Sequence, residues 1–156
     1  SHKEAAAAAK RLLGGLGGAD MRCQTIANAA GLPGTFRAWL SAGTASAASR
    51  LTHATVPYGL LDGTVIALDW DDLVDGTLMA PIRVGENGLP TIVGSGVWTG
   101  TAANGDTLTN STNCAGWNAN GANQGGTAGN RSQTGPAWTE GTNTCFANNS
   151  LYCFEQ

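Results

Sequence analysis

The chain has 156 residues, a formal net charge of -3 and 12% charged residues. This length suits one domain with its own hydrophobic core, whereas the missing basic patch excludes nucleic acid as a partner and the interrupted apolar runs are too short for membrane insertion. The 23 glycines, with abundant Asn, Thr and Ser, are typical of secreted proteins rich in strands and loops rather than of cytosolic enzymes.

The chain opens on an alanine-rich segment, residues 1 to 10, whose composition predicts a helix. We interpret residues 1 to 12 as a linker, a tag remnant or the end of a stalk, and residues 13 to 156 as the domain. The glycine-rich stretch from Leu12 to Gly18 is expected to form a turn. It is not a dinucleotide-binding fingerprint, because no strand of β-branched residues precedes it.

A helix is predicted from Ala19, with Asp20 capping it or favouring its positive end and Gly31 ending it. Cys23 falls on the apolar face, where it can tether the helix to another element. The apolar residues that recur at helical spacing are Met21, Cys23, Ile26, Ala27 and Ala30.

Strands and turns are predicted next. Residues Thr35 to Leu40 alternate as a half-buried strand does, and Thr44 to Arg50 could form a short helix. Asp62-Gly63 is a tight turn between two short strands, Tyr58 to Leu61 and Val65 to Ala67, which predicts a hairpin.

The one acidic cluster spans Asp69 to Gly76. Its spacing misses the EF-hand pattern, so we favour helix capping by Asp69 or Asp71 followed by an Asp-Gly turn. Calcium at this cluster is the alternative, and no other cofactor is expected.

Short strands are predicted at Thr91 to Val93 and Val97 to Thr99, and a polar region rich in Gly, Asn, Thr and Ser begins after Gly100. Such a region cannot fill a core, which predicts a large surface loop system. The four cysteines lack the spacing of a zinc knuckle or a Cys-x-x-Cys redox site, so disulfides in an oxidising compartment are expected, with three connectivities open. The cysteines are Cys23, Cys114, Cys145 and Cys153.

This polar region contains the candidate ligand-binding residues. An exposed tryptophan offers a flat apolar face to a sugar ring, and amides donate to and accept from hydroxyls. Trp98 and Trp138 are better explained as core residues, and packing of Trp117 against its neighbouring cysteine is the alternative to display. The candidate ligand-binding residues are Trp117, Asn118, Asn120, Asn123 and Arg131.

Catalytic machinery is not indicated. The two histidines, His2 and His53, are accompanied by no Gly-x-Ser-x-Gly elbow, and they are too few for a zinc site. Nothing in the sequence singles out a pair of carboxylates for glycoside hydrolysis. We therefore expect a protein that is not an enzyme.

Eight motifs stand in a set order along residues 13 to 156: Gly14–Cys23, Phe36–Ser41, Leu61–Thr64, Trp70–Leu73, Val97–Thr101, Asn113–Trp117, Trp138–Thr139 and Leu151–Glu155. Together they resemble a bacterial surface-protein domain of unknown function, related to the endostatin and C-type lectin-like fold. The resemblance implies an α+β domain with a mixed, mostly antiparallel sheet, two flanking helices and long loops pinned by disulfides. It also implies nested disulfides, Cys23–Cys153 and Cys114–Cys145.

The chain departs from this family in two respects. Family members open with an apolar strand that pairs near the C-terminal strand, whereas Ala5 to Lys10 looks helical here. The sugar-binding lectins of the fold hold calcium through Glu-Pro-Asn or Gln-Pro-Asp and Trp-Asn-Asp triplets. None of these triplets occurs in this sequence, so the resemblance does not carry calcium-dependent sugar binding.

From these residues and this resemblance we expect an extracellular recognition or adhesion module, secreted or at a cell surface. It would form an adhesin tip that binds surface glycans or another cell-surface ligand, with a homo-oligomer formed through a stalk. A structural or oligomerising assembly domain without a small ligand is the first alternative. A secreted, surface-acting hydrolase is the second.

Overall fold

The computed structural model describes residues 2–8, 13–91, 94–108 and 113–156. The strands are β1 (His2–Ala8), β2 (Phe36–Ala38), β3 (Tyr58–Leu60), β4 (Val65–Ala67), β5 (Gly96–Trp98), β6 (Gly125–Asn130), β7 (Thr142–Thr144) and β8 (Ser150–Glu155). The helices are α1 (Gly15–Ala29), α2 (Ala47–Arg50), α3 (Trp70–Leu73) and a helical turn α4 (Cys114–Trp117), with a 3-10 turn at Pro136–Trp138. The protein is therefore α+β, as predicted.

The described strands form one sheet in the order β4-β3-β1-β8-β5-β6-β7, and β2 also pairs with β8. The β1–β3 and β5–β8 pairs are parallel, whereas the other pairs are antiparallel. The prediction of a mixed, mostly antiparallel sheet is confirmed.

The C-terminal strand β8 is the centre of the sheet. β1 runs along one of its edges. The other edge is shared, because β5 pairs with Ser150 and Leu151 while β2 pairs with residues 153 to 155. The last strand of the chain therefore joins three segments that lie far apart in sequence.

Side chains of β8 alternate between two hydrophobic clusters, since successive strand residues point to opposite faces. Leu151 and Cys153 belong to a cluster that also contains α1 residues and both disulfides. Tyr152 and Phe154 belong to a second cluster, which contains Trp39, Trp70 and Trp138. The sheet thus separates two cores.

The predicted helix at residues 1 to 10 is wrong over residues 2 to 8, and residues 1, 9 and 10 lie outside the described residues. His2–Ala8 is a strand between β3 and β8, with Glu4 opposite both Leu60 and Phe154. Alanine has the highest helix propensity, but propensity is a weak preference that tertiary contacts override, and pairing on both edges satisfies the backbone of this segment better than an isolated short helix would. The sheet therefore begins inside the segment interpreted as a linker, and a strand beside the C-terminal strand is present after all.

Helix α1 begins four residues earlier than predicted, at Gly15, directly after Gly14 with φ 79°. A Cβ on Gly18 would lie 2.1 Å from the carbonyl oxygen of Leu13, so only glycine allows the entering chain to fold back on the helix. The C-terminal end is as predicted. Gly31 has φ +71°, and Leu32 N donates to Ala27 O at 2.9 Å in a Schellman motif.

Two residues of α1 differ from their expected roles. Asp20 lies inside the helix, where its Oδ1 accepts from Ala38 N at 3.0 Å and from Arg50 Nη2 at 2.6 Å. It therefore ties α1 to β2 and α2 rather than capping a helix. Met21, predicted on the apolar stripe, is 70% exposed, and Ala30 of the same predicted stripe is exposed just beyond the helix, whereas Cys23 and Ala27 are buried.

The predicted strand β2, helix α2 and hairpin β3–β4 are confirmed. At the hairpin turn, Thr64 N donates to Asp62 Oδ1 at 2.9 Å, and this backbone hydrogen bond lowers the pKa of the Asp62 carboxyl. Of the strand predicted at Thr91 to Val93, residues 92 and 93 lie outside the described residues. Within the part of the chain that is described, no helix combines the length and hydropathy required to cross a bilayer.

Candidate functional site

Two disulfides cross-link the fold, one between α1 and β8 and one within the polar region. Cys23–Cys153 joins α1 to β8 across 130 positions of sequence. Cys114–Cys145 joins α4 to the residue after β7 across 31 positions. The nested pairing implied by the resemblance is confirmed, and two disulfides are consistent with an oxidising compartment.

The turn α4 is left-handed. Cys114 has φ 52°, Ala115 φ 53°, Gly116 φ 67° and Trp117 φ 67°. Only glycine adopts this region freely, and each L-residue there costs roughly 1–2 kcal/mol. Three non-glycine residues within four positions therefore store strain, a feature that clusters at ligand-binding and active sites.

Local hydrogen bonds close this left-handed turn. Trp117 N donates to Asn113 O at 2.7 Å, and Asn118 N donates to Cys114 O at 3.0 Å. The side-chain Oδ1 of Asn113 accepts from Gly116 N at 2.9 Å. With the disulfide at Cys114, these bonds over-determine the strained backbone and fix where the following loop leaves the core.

Trp117 is buried beneath the turn, with 2% of its surface exposed. Its ring centroid lies 5.7 Å from that of Trp98. A Cβ on Gly126 would lie 2.8 Å from Cys114 Sγ and 3.3 Å from Trp117 Cζ3, so the strand beneath must carry glycine. The interpretation of Trp117 as a displayed sugar-stacking ring is wrong, whereas Trp98 and Trp138 are core residues as predicted.

The candidate amides do reach solvent. Asn118, Asn120 and Asn123 are exposed, as is Gln124, and these four residues are called the amide surface below. They occupy one loop between α4 and β6. The loop begins at the left-handed turn and ends where Cys145 N donates to Gln124 O at 2.8 Å, so both of its ends are held by the residues of one disulfide.

Arg131 is not available at this surface, because it is only 5% exposed. It lies one residue beyond β6, where its guanidinium Nη2 donates to Gly94 O and its backbone N donates to Ser95 O at 2.9 Å. Its interpretation as a ligand contact is therefore replaced by a structural role. The cation holds the segment that leads into β5.

Sequence reasoning missed two features next to the amide surface. Phe146 is 50% exposed beside Cys145, and the exposed edge strand β7 pairs with β6 through Gly125 opposite Thr144. Phe146 and β7 are thus the chain neighbours of Cys145, whose backbone is bonded to the end of the loop. The Thr-Asn-Thr run between Gly141 and Cys145 was the available signal.

The acidic cluster is structural, as favoured from the sequence. Asp69 caps α3 by accepting from Asp72 N at 2.9 Å, and Asp72 Oδ2 accepts from Leu68 N at 2.7 Å. Asp75 Oδ1 accepts from Thr77 N at 2.9 Å in the following turn. Among the described residues, no three His, Cys, Asp or Glu side chains gather as metal ligands would.

His53, one of the two histidines, is engaged in packing. Its ring stacks on Trp70 with centroids 3.9 Å apart and planes 3° from parallel. Its Nε2 lies 2.7 Å from the carbonyl oxygen of Ala48. One ring nitrogen is thereby occupied by backbone, which suits a role in anchoring α3 rather than general-base chemistry.

Comparison with known proteins returned no matching family model and no significantly similar curated sequence.

Proposed function

We propose that this protein is an extracellular recognition module with a C-type lectin-like, endostatin-like fold, and that its amide surface binds glycans of a cell surface. In this proposal the module is the tip of a secreted or surface-attached adhesin. It binds its ligand through surface amides and hydroxyls rather than through a metal ion.

Two features of the architecture support the lectin-like assignment. The strand that the resemblance requires beside the C-terminal strand is present as β1. The disulfides also have the nested pairing that the resemblance implies. Both features depend on contacts between segments that lie far apart in sequence, which the short motifs do not themselves specify.

The observation that carries the proposal is the strained, disulfide-held turn from which the amide loop leaves the core. Asn118, Asn120 and Asn123 expose groups that both donate and accept hydrogen bonds, which is the chemistry that sugar hydroxyls require. Because the tryptophans of the region are buried, Phe146 replaces them as the aromatic face for a sugar ring. Because the loop is already fixed, it loses less conformational entropy when the ligand binds.

A glycan array tests this proposal, with the folded chain applied once in calcium and once in chelator. The proposal expects the same saccharides to bind in both conditions. Binding that disappears in chelator would contradict the metal-independent mechanism and return attention to Asp69 to Asp75. An array without any hit would contradict glycan recognition itself.

One observation favours a second function, assembly without a small ligand. Val65 and Leu68 at the edge strand β4 are 37% and 55% exposed, and Met79 is 60% exposed. Met79 N donates to Ile66 O at 2.9 Å, so the backbone of Met79 lies next to β4. Sedimentation of the wild type and of a Leu68→Lys variant separates the two functions, since an assembly domain would lose its oligomer on this substitution.

A further inference from the structure

A cleft of about 670 Å³ lies at the C-terminal end of α1, between the helix and two turns of the chain. Its volume is in the range of ligand-binding clefts. Ile26, Leu32 and Leu61 contribute apolar side chains, and the turn from Glu86 to Gly88 forms a further part of the wall. The cleft therefore combines an apolar lining with a carboxylate.

The charges identified around this cleft are negative. Glu86 makes no ion pair within the described residues, and the described residues that line the cleft include no Lys or Arg. The last turn of α1 contains no basic residue, so the partial negative charge of about half an electron at a helix C-terminus is not offset by its own side chains. Both charges favour a cation.

The wall that carries Glu86 is held by its own hydrogen bonds. Gly88 N donates to Gly85 O at 3.0 Å, and Gly85 N donates to Leu89 O at 2.9 Å. The side-chain Oδ1 of Asn87 also accepts from Leu89 N at 3.0 Å. The turn is thus formed before any ligand arrives, which limits the entropy that binding must overcome.

The shape and charge together select one kind of cation. A metal ion needs several oxygen ligands, and the cleft supplies a single carboxylate. Lysine combines an aliphatic stem with a compact ammonium of three donors, so the stem can cover the apolar side while the head reaches Glu86 and the helix end. Leu89, which follows the lining residue Gly88 in the chain, is 61% exposed and offers further apolar surface to residues flanking such a lysine.

We propose that this cleft receives a lysine side chain of a partner protein, with Glu86 as its counter-ion. The site is separate from the amide surface. Gly15, at the N-terminus of α1, lies next to Asn118, with a Cβ position 3.6 Å from its Nδ2, whereas the cleft adjoins Ala29 at the other end. A helix of 15 residues is about 22 Å long, so the two sites can be tested independently.

The test uses methyl NMR spectra of the whole chain, titrated with N-acetyl-lysine amide. We expect saturable shifts of the Ile26, Leu32 and Leu61 methyl signals. N-acetyl-norleucine amide has the same four-carbon stem without the ammonium, and n-pentylamine has the ammonium without peptide groups. Both should bind more weakly than the lysine probe.

Two variants locate the charge. Glu86→Gln should weaken binding of the lysine probe roughly threefold or more, as expected for loss of a partly exposed ion pair. The control Asp71→Asn removes one negative charge from an exposed position on α3 and should leave binding of the probe unchanged. Ala29→Lys places a cation at the rim, where the helix end favours it, and should abolish binding without unfolding the protein.

Several results would overturn the proposal. Equal binding of the lysine and norleucine probes would make the cleft merely apolar, and stronger binding of n-pentylamine would indicate a free amine as ligand. Tighter binding of N-acetyl-arginine amide, an unaffected Glu86→Gln variant or the absence of any shift would also contradict it. None of these results bears on the glycan array, so the two proposals fail separately.

Discussion

The indole Nε1 of Trp117 donates a 2.9 Å hydrogen bond to the backbone carbonyl of Ser41, which lies 76 positions earlier in the chain. Ser41 N donates in turn to Thr99 O at 2.9 Å, and its hydroxyl lies 2.8 Å from that of Thr101. The left-handed turn is thereby bonded to a buried network at the end of β5. These hydrogen bonds to the core therefore fix the position of the loop that carries the amide surface.

Replacing Trp117 by Phe should cost more than replacing Trp138 by Phe. Both rings are buried, but only Trp117 Nε1 has a hydrogen-bond acceptor, since Trp138 Nε1 is without a partner among the described residues. Leaving the Ser41 carbonyl without its donor should cost about 1–3 kcal/mol. The free energy of unfolding in urea measures the difference, and equal losses in the two variants would show that the bond contributes nothing.

Ala115→Gly should stabilise the protein by up to about 1 kcal/mol. Ala115 is exposed at φ 53° and ψ 53°. Glycine removes the energetic penalty of this left-handed conformation in the folded protein. It also raises the conformational entropy of the unfolded chain, which offsets only part of that gain. Ala29→Gly, the matched control in a right-handed helix, should destabilise by roughly 0.5–1 kcal/mol. Urea denaturation of both variants is the measurement, and the same sign in both would contradict the left-handed assignment.

Removing the disulfides should have unequal and local effects. Chain entropy predicts losses of about 4 kcal/mol for Cys114→Ala with Cys145→Ala and about 5 kcal/mol for Cys23→Ala with Cys153→Ala. The first pair should also release the strained turn, so that the amides of Trp117 and Asn118 exchange faster with deuterium. Unchanged exchange rates at these two amides would mean that the turn keeps its conformation without the disulfide.

Stability should fall at high pH through Tyr58. Burial raises the pKa of this phenol above 10.0, the Asp69 charge adds to the rise, and the hydrogen bond from Ala54 N opposes it. The unfolded chain then ionises first, so the contribution of Tyr58 is complete below about pH 10 and is lost as the pH rises through the folded-state pKa. Urea midpoints measured across this range should decline less for Tyr58→Phe, and parallel declines would refute the assignment.

Local patterns were sufficient for several elements. The alternation from Phe36 to Leu40 and the Asp62-Gly63 turn predicted β2 and the β3–β4 hairpin, because period-two burial and turn chemistry are read within a few residues. Capping by Asp69 was equally local. The acidic cluster could thus be interpreted without knowing its surroundings.

Features that depend on contacts with residues far away in the chain could not be predicted from the sequence. The alanines of β1 have helix propensity, and only the strands on either side make the segment extended. Cys114, Ala115 and Trp117 disfavour positive φ, so nothing in their types signals a left-handed turn. The polar neighbours of Trp117 and Arg131 suggested exposure, whereas long-range bonds to Ser41 and Gly94 accompany their burial.

The most direct test of the central claim compares glycan-array binding by the wild type and by the Asn118→Ala, Asn120→Ala, Asn123→Ala triple variant. A variant lacking the exposed amides Asn28 and Gln133 serves as the control, and unfolding curves confirm that all three proteins are folded. Recognition through the amide surface predicts at least about a tenfold loss of affinity in the triple variant and none in the control. Full glycan binding by a folded triple variant would show that the ligand is held elsewhere.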